Sequence, residues 1–140
     1  MSLKSLIKYI SNSQITKELI KKLNNNTELN IIGSSRFAKA MIIQSIASLE
    51  KTDIFLVCAN TEMAYKWYGY FESIENNNVF YYPPNENFPY ENRSKSTEVE
   101  YSQLNILSQL INIDLKHKKD INIIITTERA LQPHLLNKNY

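Results

Sequence analysis

Glycine and cysteine are both scarce in this chain, which contains two Gly and one Cys among 140 residues. A single cysteine excludes a disulfide framework or a thiolate zinc site built from this chain alone. Cys58 ends the apolar run Ile54–Cys58, a setting typical of a buried thiol rather than a nucleophile. With only two glycines, the chain has no Gly-rich loop other than a degenerate one that begins at Gly33.

The chain also lacks a strong charge excess and long apolar runs. Its 16 basic and 14 acidic residues give a net charge of +2, too balanced to indicate nucleic-acid binding from electrostatics alone. No apolar stretch approaches the ~20 residues of a membrane helix. Lysines interrupt the first eight residues, so no signal-peptide core is present there. We therefore expect a cytoplasmic protein with no membrane partner.

Residues 31–40 are close to a phosphate-binding loop, whose pattern is G-x-x-x-x-G-K-[ST] between a strand and a helix. Gly33 and Lys39 occupy the first Gly and the Lys positions. Ala38 replaces the second Gly, whose missing Cβ lets the backbone approach phosphates. Ala40 replaces the Ser/Thr whose hydroxyl binds magnesium. Gly33 and Lys39 are thus the candidate cofactor-binding residues of a degenerate loop in which nucleotide chemistry is expected to be lost.

Short apolar runs alternate with amphipathic segments after two short N-terminal helices, the second of which Ser13 is expected to cap. Four strands are predicted, at 29–32, Ile54–Cys58, 79–82 and 121–126. The helices that follow them, in the same order, are Arg36–Glu50, Thr61–Glu72, 97–113 and 127–131. Continuous apolar strands that alternate with helices indicate a parallel sheet covered on both faces. The predicted fold class is therefore α/β, a P-loop-NTPase-like parallel sheet flanked by helices.

Two expectations about packing follow from this architecture. Nearly complete burial is expected for five strand residues: Ile31, Leu56, Val57, Ile123 and Ile124. The helix 97–113 is expected to face inward through five side chains: Tyr101, Leu104, Leu107, Leu110 and Ile111. Of these, Leu104, Leu107 and Ile111 are expected to pack on the sheet. The segment 83–95, which contains three prolines, is predicted to be a long loop, and loops of this length are often functional.

Two segments resemble a family of bacterial repair proteins. One is the run of residues 82–94, which carries Glu86, Pro89, Tyr90, Glu91 and Ser94 in the order of a P-x-x-E-x-x-P-Y-E pattern followed by S. The other is 123–131, an apolar strand that ends in Thr-Thr-Glu-Arg-Ala-Leu. Together with 56–61, which is similar to a helicase segment, they resemble the N-terminal region of bacterial transcription-repair coupling factors (Mfd). That region is in turn similar to the excinuclease B subunit.

The coupling factors are the better match of the two relatives. Excinuclease B carries a long aromatic β-hairpin after its third strand, whereas only seven residues separate Tyr90 from Glu98 in this chain. The resemblance covers roughly residues 28–136. It implies two N-terminal helices (1–27), a degenerate P-loop-like α/β subdomain (28–136) and the start of a linker (137–140) in a chain that continues beyond Tyr140.

The resemblance also implies a function. The module would be non-catalytic and would help to recruit nucleotide excision repair to stalled RNA polymerase. It would contact the excinuclease A subunit mainly through the subdomain that follows it. Other parts of the full-length protein would bind RNA polymerase and DNA. ATP and Mg would serve its DNA translocase elsewhere, so no cofactor is expected in this fragment.

Two other functions stay open from the residues alone. A helicase-type ATPase half-domain would use Gly33 and Lys39, with Arg36 as a further phosphate contact, and retention of this lysine leaves weak anion binding open. A nucleic-acid-binding module would stack bases on four aromatic side chains: Tyr81, Tyr82, Phe88 and Tyr90. His117 and His134 lack partners at metal-ligand spacing. Glu86 and Glu91 lack a nearby nucleophile, so no catalytic residue is assigned.

Overall fold

The computed structural model describes residues 3–25, 28–74, 77–84, 97–115 and 121–131. Six helices and three strands are formed within these ranges. In chain order they are α1 (Leu3–Ser11), α2 (Gln14–Asn24), α3 (Arg36–Glu50), β1 (Ile54–Cys58), α4 (Thr61–Glu72), β2 (Asn77–Tyr82), α5 (Thr97–Leu115), β3 (Ile121–Thr127) and α6 (Glu128–Leu131). The observed bounds of α3, β1 and α4 are the predicted ones.

The turn between α1 and α2 is closed by hydroxyl groups. Ser13 caps α2, as expected, by accepting a hydrogen bond from the Thr16 N–H at 3.2 Å. The Thr16 side chain is buried and donates to the Ile10 carbonyl at 2.8 Å. Helix α1 packs against α3, where the Ser45 hydroxyl lies 2.8 Å from the Met41 carbonyl and 3.4 Å from that of Ile7. The N-terminal helix pair is thereby attached to the outer side of α3.

The three strands form one parallel sheet in the order β1-β3-β2. Ile123 in the central strand is paired with Ile54 on one side and with Val79 on the other. Both connections, β1–α4–β2 and β2–α5–β3, join parallel strands through a helix, the arrangement that such strands require. The α/β class and the parallel sheet flanked by helices are therefore confirmed for the described residues.

The sheet has one face that is well covered, called the covered face below. Its side chains are Ile54, Leu56 and Cys58 of β1, Ile121, Ile123, Ile125 and Thr127 of β3, and Val79 and Tyr81 of β2. Helix α4 packs on it through Ala64, Trp67 and Phe71, and Ala40 of α3 joins the same cluster. Cys58 is 4% exposed, which confirms the predicted buried thiol.

The other face, called the open face, carries the alternate residues. They are Phe55 and Val57 of β1, Asn122, Ile124 and Thr126 of β3, and Asn78, Phe80 and Tyr82 of β2. Helix α5 contacts β2, and the Gln103 amide donates to the Pro83 carbonyl at 2.8 Å. Because the two crossovers run in opposite directions across the sheet, right-handed connections place α4 and α5 on opposite faces.

The predicted first strand, 29–32, is wrong. Residues 28–32 have no regular secondary structure, and Ile32 is 87% exposed. Leu29 and Ile31 are only partly buried. A short apolar run becomes a strand only where another strand pairs with it, and within the described ranges none pairs with this one.

The burial expected of the sheet is also only partly correct. Ile123 is fully buried, but Ile31, Leu56 and Ile124 are partly buried and Val57 is 45% exposed. Uneven coverage of the two faces explains Val57 and Ile124, which lie on the open face. Ile31 lies outside the sheet, and Leu56 lies in the edge strand β1. Coverage of both faces, as predicted, holds only in part.

The inward face predicted for helix 97–113 is wrong as well. Tyr101, Leu104, Leu107 and Ile111 are exposed, and the partly buried face is made of Val99, Gln103, Ile106 and Leu110. Leu110 is the one residue common to both sets. Both sets have helical spacing, and the contact with β2 decides between them.

Several predictions fall outside the described residues. They concern most of the loop 83–95, including Glu86, Phe88, Tyr90 and Glu91, and both histidines, His117 and His134. Within the described ranges, no helix combines the length and hydropathy needed to cross a bilayer.

Candidate functional site

The candidate site is the turn that leads into α3. Gly33 has a φ of +82°, a conformation that L side chains rarely adopt, which explains a glycine here. Ser35 then takes an extended backbone conformation and caps α3, accepting a hydrogen bond from the Ala38 N–H at 3.2 Å. The Lys39 N–H donates to the Ser35 carbonyl at 3.0 Å, which closes the first helical turn. Sequence reasoning placed this turn correctly but missed the cap.

The beginning of α4 lies near this turn. Asn60 caps α4, with its side-chain oxygen 2.8 Å from the Met63 N–H. In the first turn of α4, Glu62 forms a salt bridge with Lys66. That ammonium, by its hydrogen bond and its charge, holds the pKa of the Glu62 carboxyl below its ordinary value, and Arg36 at the start of α3 lowers it further. Helices α3 and α4 also contact each other, and Ala40 and Ala64, each in the first turns of its helix, belong to one buried cluster.

Ala40, at the position that a magnesium-binding hydroxyl has in the motif, lies in the core. Its side chain is fully buried and packs in the cluster that contains Cys58 and Ala64. A hydroxyl here would enter an apolar core, where it would need a hydrogen-bond partner. Position 40 thus belongs to the buried apolar cluster, next to the contact of α3 with α4, and alanine presents no metal ligand.

The remaining groups of the turn offer little chemistry. Lys39 is partly buried and makes no ion pair with any residue that the structure describes. Ser34 Oγ is shielded from solvent and has no hydrogen-bond partner in the described part of the chain. One cation and one hydroxyl can attract an anion, but the N–H of Ala38 is already bound to Ser35. The described geometry of the turn is therefore that of a capped helix start.

The carboxyl end of β3 is the third part of the candidate site, after the starts of α3 and α4. The Thr126 hydroxyl donates to the Tyr82 carbonyl at 3.1 Å and so connects β3 to the end of β2. The next residue, Thr127, accepts a hydrogen bond from the Ala130 N–H at 3.3 Å and caps α6. Both hydroxyls have structural partners, and neither threonine is exposed.

A partly buried polar contact that the sequence analysis missed lies at the opposite edge of the sheet. The Asp53 carboxylate accepts hydrogen bonds from the backbone N–H and the side-chain amide of Asn122, at 3.0 and 3.2 Å. The Asn122 side chain in turn accepts from the Asn78 amide at 3.1 Å. An asparagine inside an otherwise apolar strand was the available signal, because a buried amide requires partners. The contact joins the starts of all three strands.

The other candidate groups are not brought together. Arg36 is exposed, while Tyr81 and Tyr82 are partly buried and lie on opposite faces of the sheet. Tyr81 contacts Tyr65 with ring centroids 4.7 Å apart, so its ring already has an aromatic neighbour. Among the residues the structure describes, no three His, Cys, Asp or Glu side chains are grouped as metal ligands would be.

Comparison of the chain with protein-family models, with curated proteins and with solved structures finds no match.

Proposed function

We propose that this chain is a non-catalytic module of the excinuclease-B-like type, which helps to bring nucleotide excision repair to RNA polymerase stalled at DNA damage. The proposal rests on the resemblance of segments 56–61 and 123–131 to coupling-factor segments. The observation that best supports it is their placement. The two segments contain adjacent parallel strands, β1 and β3, and continue into α4 and α6 at the same edge of the sheet. Ligand-binding and docking segments of open α/β sheets characteristically lie at this edge.

The finer fold that we propose is a P-loop-like sheet whose phosphate loop has degenerated and which, among the described residues, lacks the strand before that loop. In its favour, Ala40 near the start of α3 is buried in one cluster with Cys58, the last residue of β1, and with Ala64 in the first turn of α4. Gly33 keeps the positive φ that a tight turn before a helix uses. Gly33 and Lys39 are then the remnants of a cofactor site that holds no nucleotide in this module.

The burial of Ala40 favours the non-catalytic function over the helicase-type ATPase. An ATPase of this kind needs a hydroxyl at position 40 as a magnesium ligand, and here a methyl group fills the core. A hydroxyl restored at position 40 would therefore be placed in the buried apolar cluster, where it would need a hydrogen-bond partner.

The proposed partner is the excinuclease A subunit, and its contact is expected mostly outside residues 1–140. Immobilised full-length gene product and immobilised residues 1–140 should be compared for retention of purified A subunit. We expect strong retention by the full-length product and little by the fragment. Equal, strong retention by both would place the docking surface within residues 1–140. No retention by either would contradict the proposed function.

A further inference from the structure

We infer that the open face of the sheet is a self-association surface, on which a second copy of this chain docks. Helix α5 of each copy would lie over β1 of the other. The inference does not depend on the proposed repair function. It rests on two exposed apolar surfaces, one on β1 and one on α5, that match each other in length and character.

The first surface is the uncovered half of the open face. Phe55 is 58% exposed and Val57 45% exposed, whereas Phe80 and Tyr82 on the same face of β2 are partly buried. Helix α5 explains this difference, because it packs mainly against β2. A helix is about 10 Å across and strands are about 4.8 Å apart, so one helix covers about two strands. The place of a second helix, over β1, is empty among the described residues.

The sequence of β1 indicates that this place is normally filled. Ile-Phe-Leu-Val-Cys is apolar at every position, as in parallel strands that are buried on both faces. It contains none of the lysines or prolines that proteins place in exposed edge strands. A strand of this composition is therefore suited to an apolar partner on its open side.

The second surface is an apolar stripe on α5. Tyr101, Leu104, Leu107 and Ile111 are 72%, 62%, 46% and 64% exposed, and their spacing puts them along one side of the helix. From Tyr101 to Ile111 the stripe spans about 15 Å at 1.5 Å per residue. From Ile54 to Cys58, β1 spans about 13 Å at about 3.3 Å per residue. The stripe on one copy is thus slightly longer than the strand that it would cover on the other.

A two-fold axis satisfies both surfaces in a single interface. Each copy contributes one stripe and one uncovered strand, so α5 of each can cover β1 of the other, and the contact closes as an isologous dimer. The six side chains together expose on the order of 700 Å² per copy, against about 800 Å² per partner in a stable complex. The available apolar area is therefore close to what a specific dimer needs.

The test is the mass in solution of the 140-residue chain, measured by sedimentation equilibrium from about 10 μM to about 1 mM. We expect the mass to rise with concentration toward twice the 16.3 kDa of one chain. Ile111→Asp should weaken the dimer by on the order of a hundredfold, because it places a charge in the stripe. Ile15→Asp is the matched control, since Ile15 is 67% exposed on α2, outside the proposed interface.

Cysteine cross-linking tests the pairing of α5 with β1 directly. In a Cys58→Ala background, a mixture of Val57→Cys and Leu107→Cys chains should form a covalent heterodimer faster than either variant alone. A mass of one chain at every concentration would overturn the inference. So would equal weakening by Ile111→Asp and Ile15→Asp, or self-linking that outpaces the mixed pair.

Discussion

The two faces of the sheet differ in how their coverage is achieved. On the covered face, apolar side chains such as Ile123, Ile125 and Cys58 pack against α4 and α3. On the open face, the buried side chains of β3 include two polar ones, Asn122 and Thr126, each with a hydrogen-bond partner. The apolar side chains Phe55 and Val57 of the same face remain exposed. One face therefore supplies the hydrophobic core, and the other supplies strand-to-strand polar contacts and, on β1, two exposed apolar side chains.

The largest expected difference between the faces is in the contribution of a phenylalanine. Phe71 is fully buried against the covered face, so Phe71→Ala should lower the free energy of unfolding by about 3–5 kcal/mol. Phe55→Ala on the open face should lower it by less than about 1 kcal/mol. Urea unfolding followed by circular dichroism, at a concentration where the chain is monomeric, measures both. Similar losses for the two variants would mean that the faces are equally covered.

The next largest effect is expected from the polar contact at the start of the strands. Asp53→Ala removes the acceptor for two hydrogen bonds from buried Asn122 and should cost about 1–3 kcal/mol. Asp53→Asn is the matched control, because its amide oxygen can still accept both bonds, and it should cost less. The two variants are compared in the same urea experiment. An Ala variant as stable as the wild type would show that the contact does not stabilise the sheet.

A smaller difference separates two neighbouring residues of α5. Ile106 belongs to the side of the helix that faces β2, while Leu107 is 46% exposed in the apolar stripe. Ile106→Ala should therefore destabilise the monomer by about 1 kcal/mol more than Leu107→Ala, whose cost should be below about 1 kcal/mol. A loss of about 2–5 kcal/mol for Leu107→Ala would instead indicate the buried position that helical spacing alone suggested.

These comparisons show which parts of the fold are determined by local sequence signals. Helix α3, strand β1 and helix α4 have the predicted bounds, because apolar periodicity and turn residues are properties of neighbouring positions. The strand 29–32 and the inward face of α5 were predicted wrongly, because each depends on a partner distant in sequence.

The candidate site also has one feature that local sequence signals predict and one that they do not. The turn from Gly33 to Lys39 is visible in the sequence as a degenerate motif, and its positive φ agrees with a glycine there. The role of Ala40 is not visible locally. It is buried in the same cluster as Cys58 of β1 and Ala64 of α4, which no short motif records.

The smallest expected effect is in the pH dependence of stability. Burial raises the pKa of the Cys58 thiol above its ordinary value of 9.0, so the folded state favours the neutral thiol. The contribution of this thiol to the free energy of unfolding is complete below about pH 9. It is lost as the pH rises through the folded pKa, because the thiol of the unfolded chain ionises first. Burial next to Glu72 raises the pKa of Tyr68 in the same direction. Stability should therefore fall at alkaline pH.

Thermal unfolding between about pH 8 and pH 10 measures this slope. The decline should be shallower in Cys58→Ala, while the contribution of Tyr68 remains. A cysteine on the open face gives the comparison for a buried one. In a Cys58→Ala background, the thiol of Val57→Cys should react with a thiol reagent at the rate of an exposed cysteine. The native Cys58 thiol should react slowly. Equal slopes in wild type and Cys58→Ala would remove Cys58 as the cause.

The central claim is that the turn from Gly33 to Lys39 does not bind nucleotide. Titration calorimetry with Mg-ATP tests it most directly. We expect no binding heat at micromolar concentrations, because Ala40 offers no magnesium ligand and the Ala38 N–H is held by Ser35. Lys39→Ala, which removes the one cation retained from the motif, should leave the calorimetric trace unchanged. A micromolar dissociation constant that weakens in Lys39→Ala would show instead that the turn still binds nucleotide.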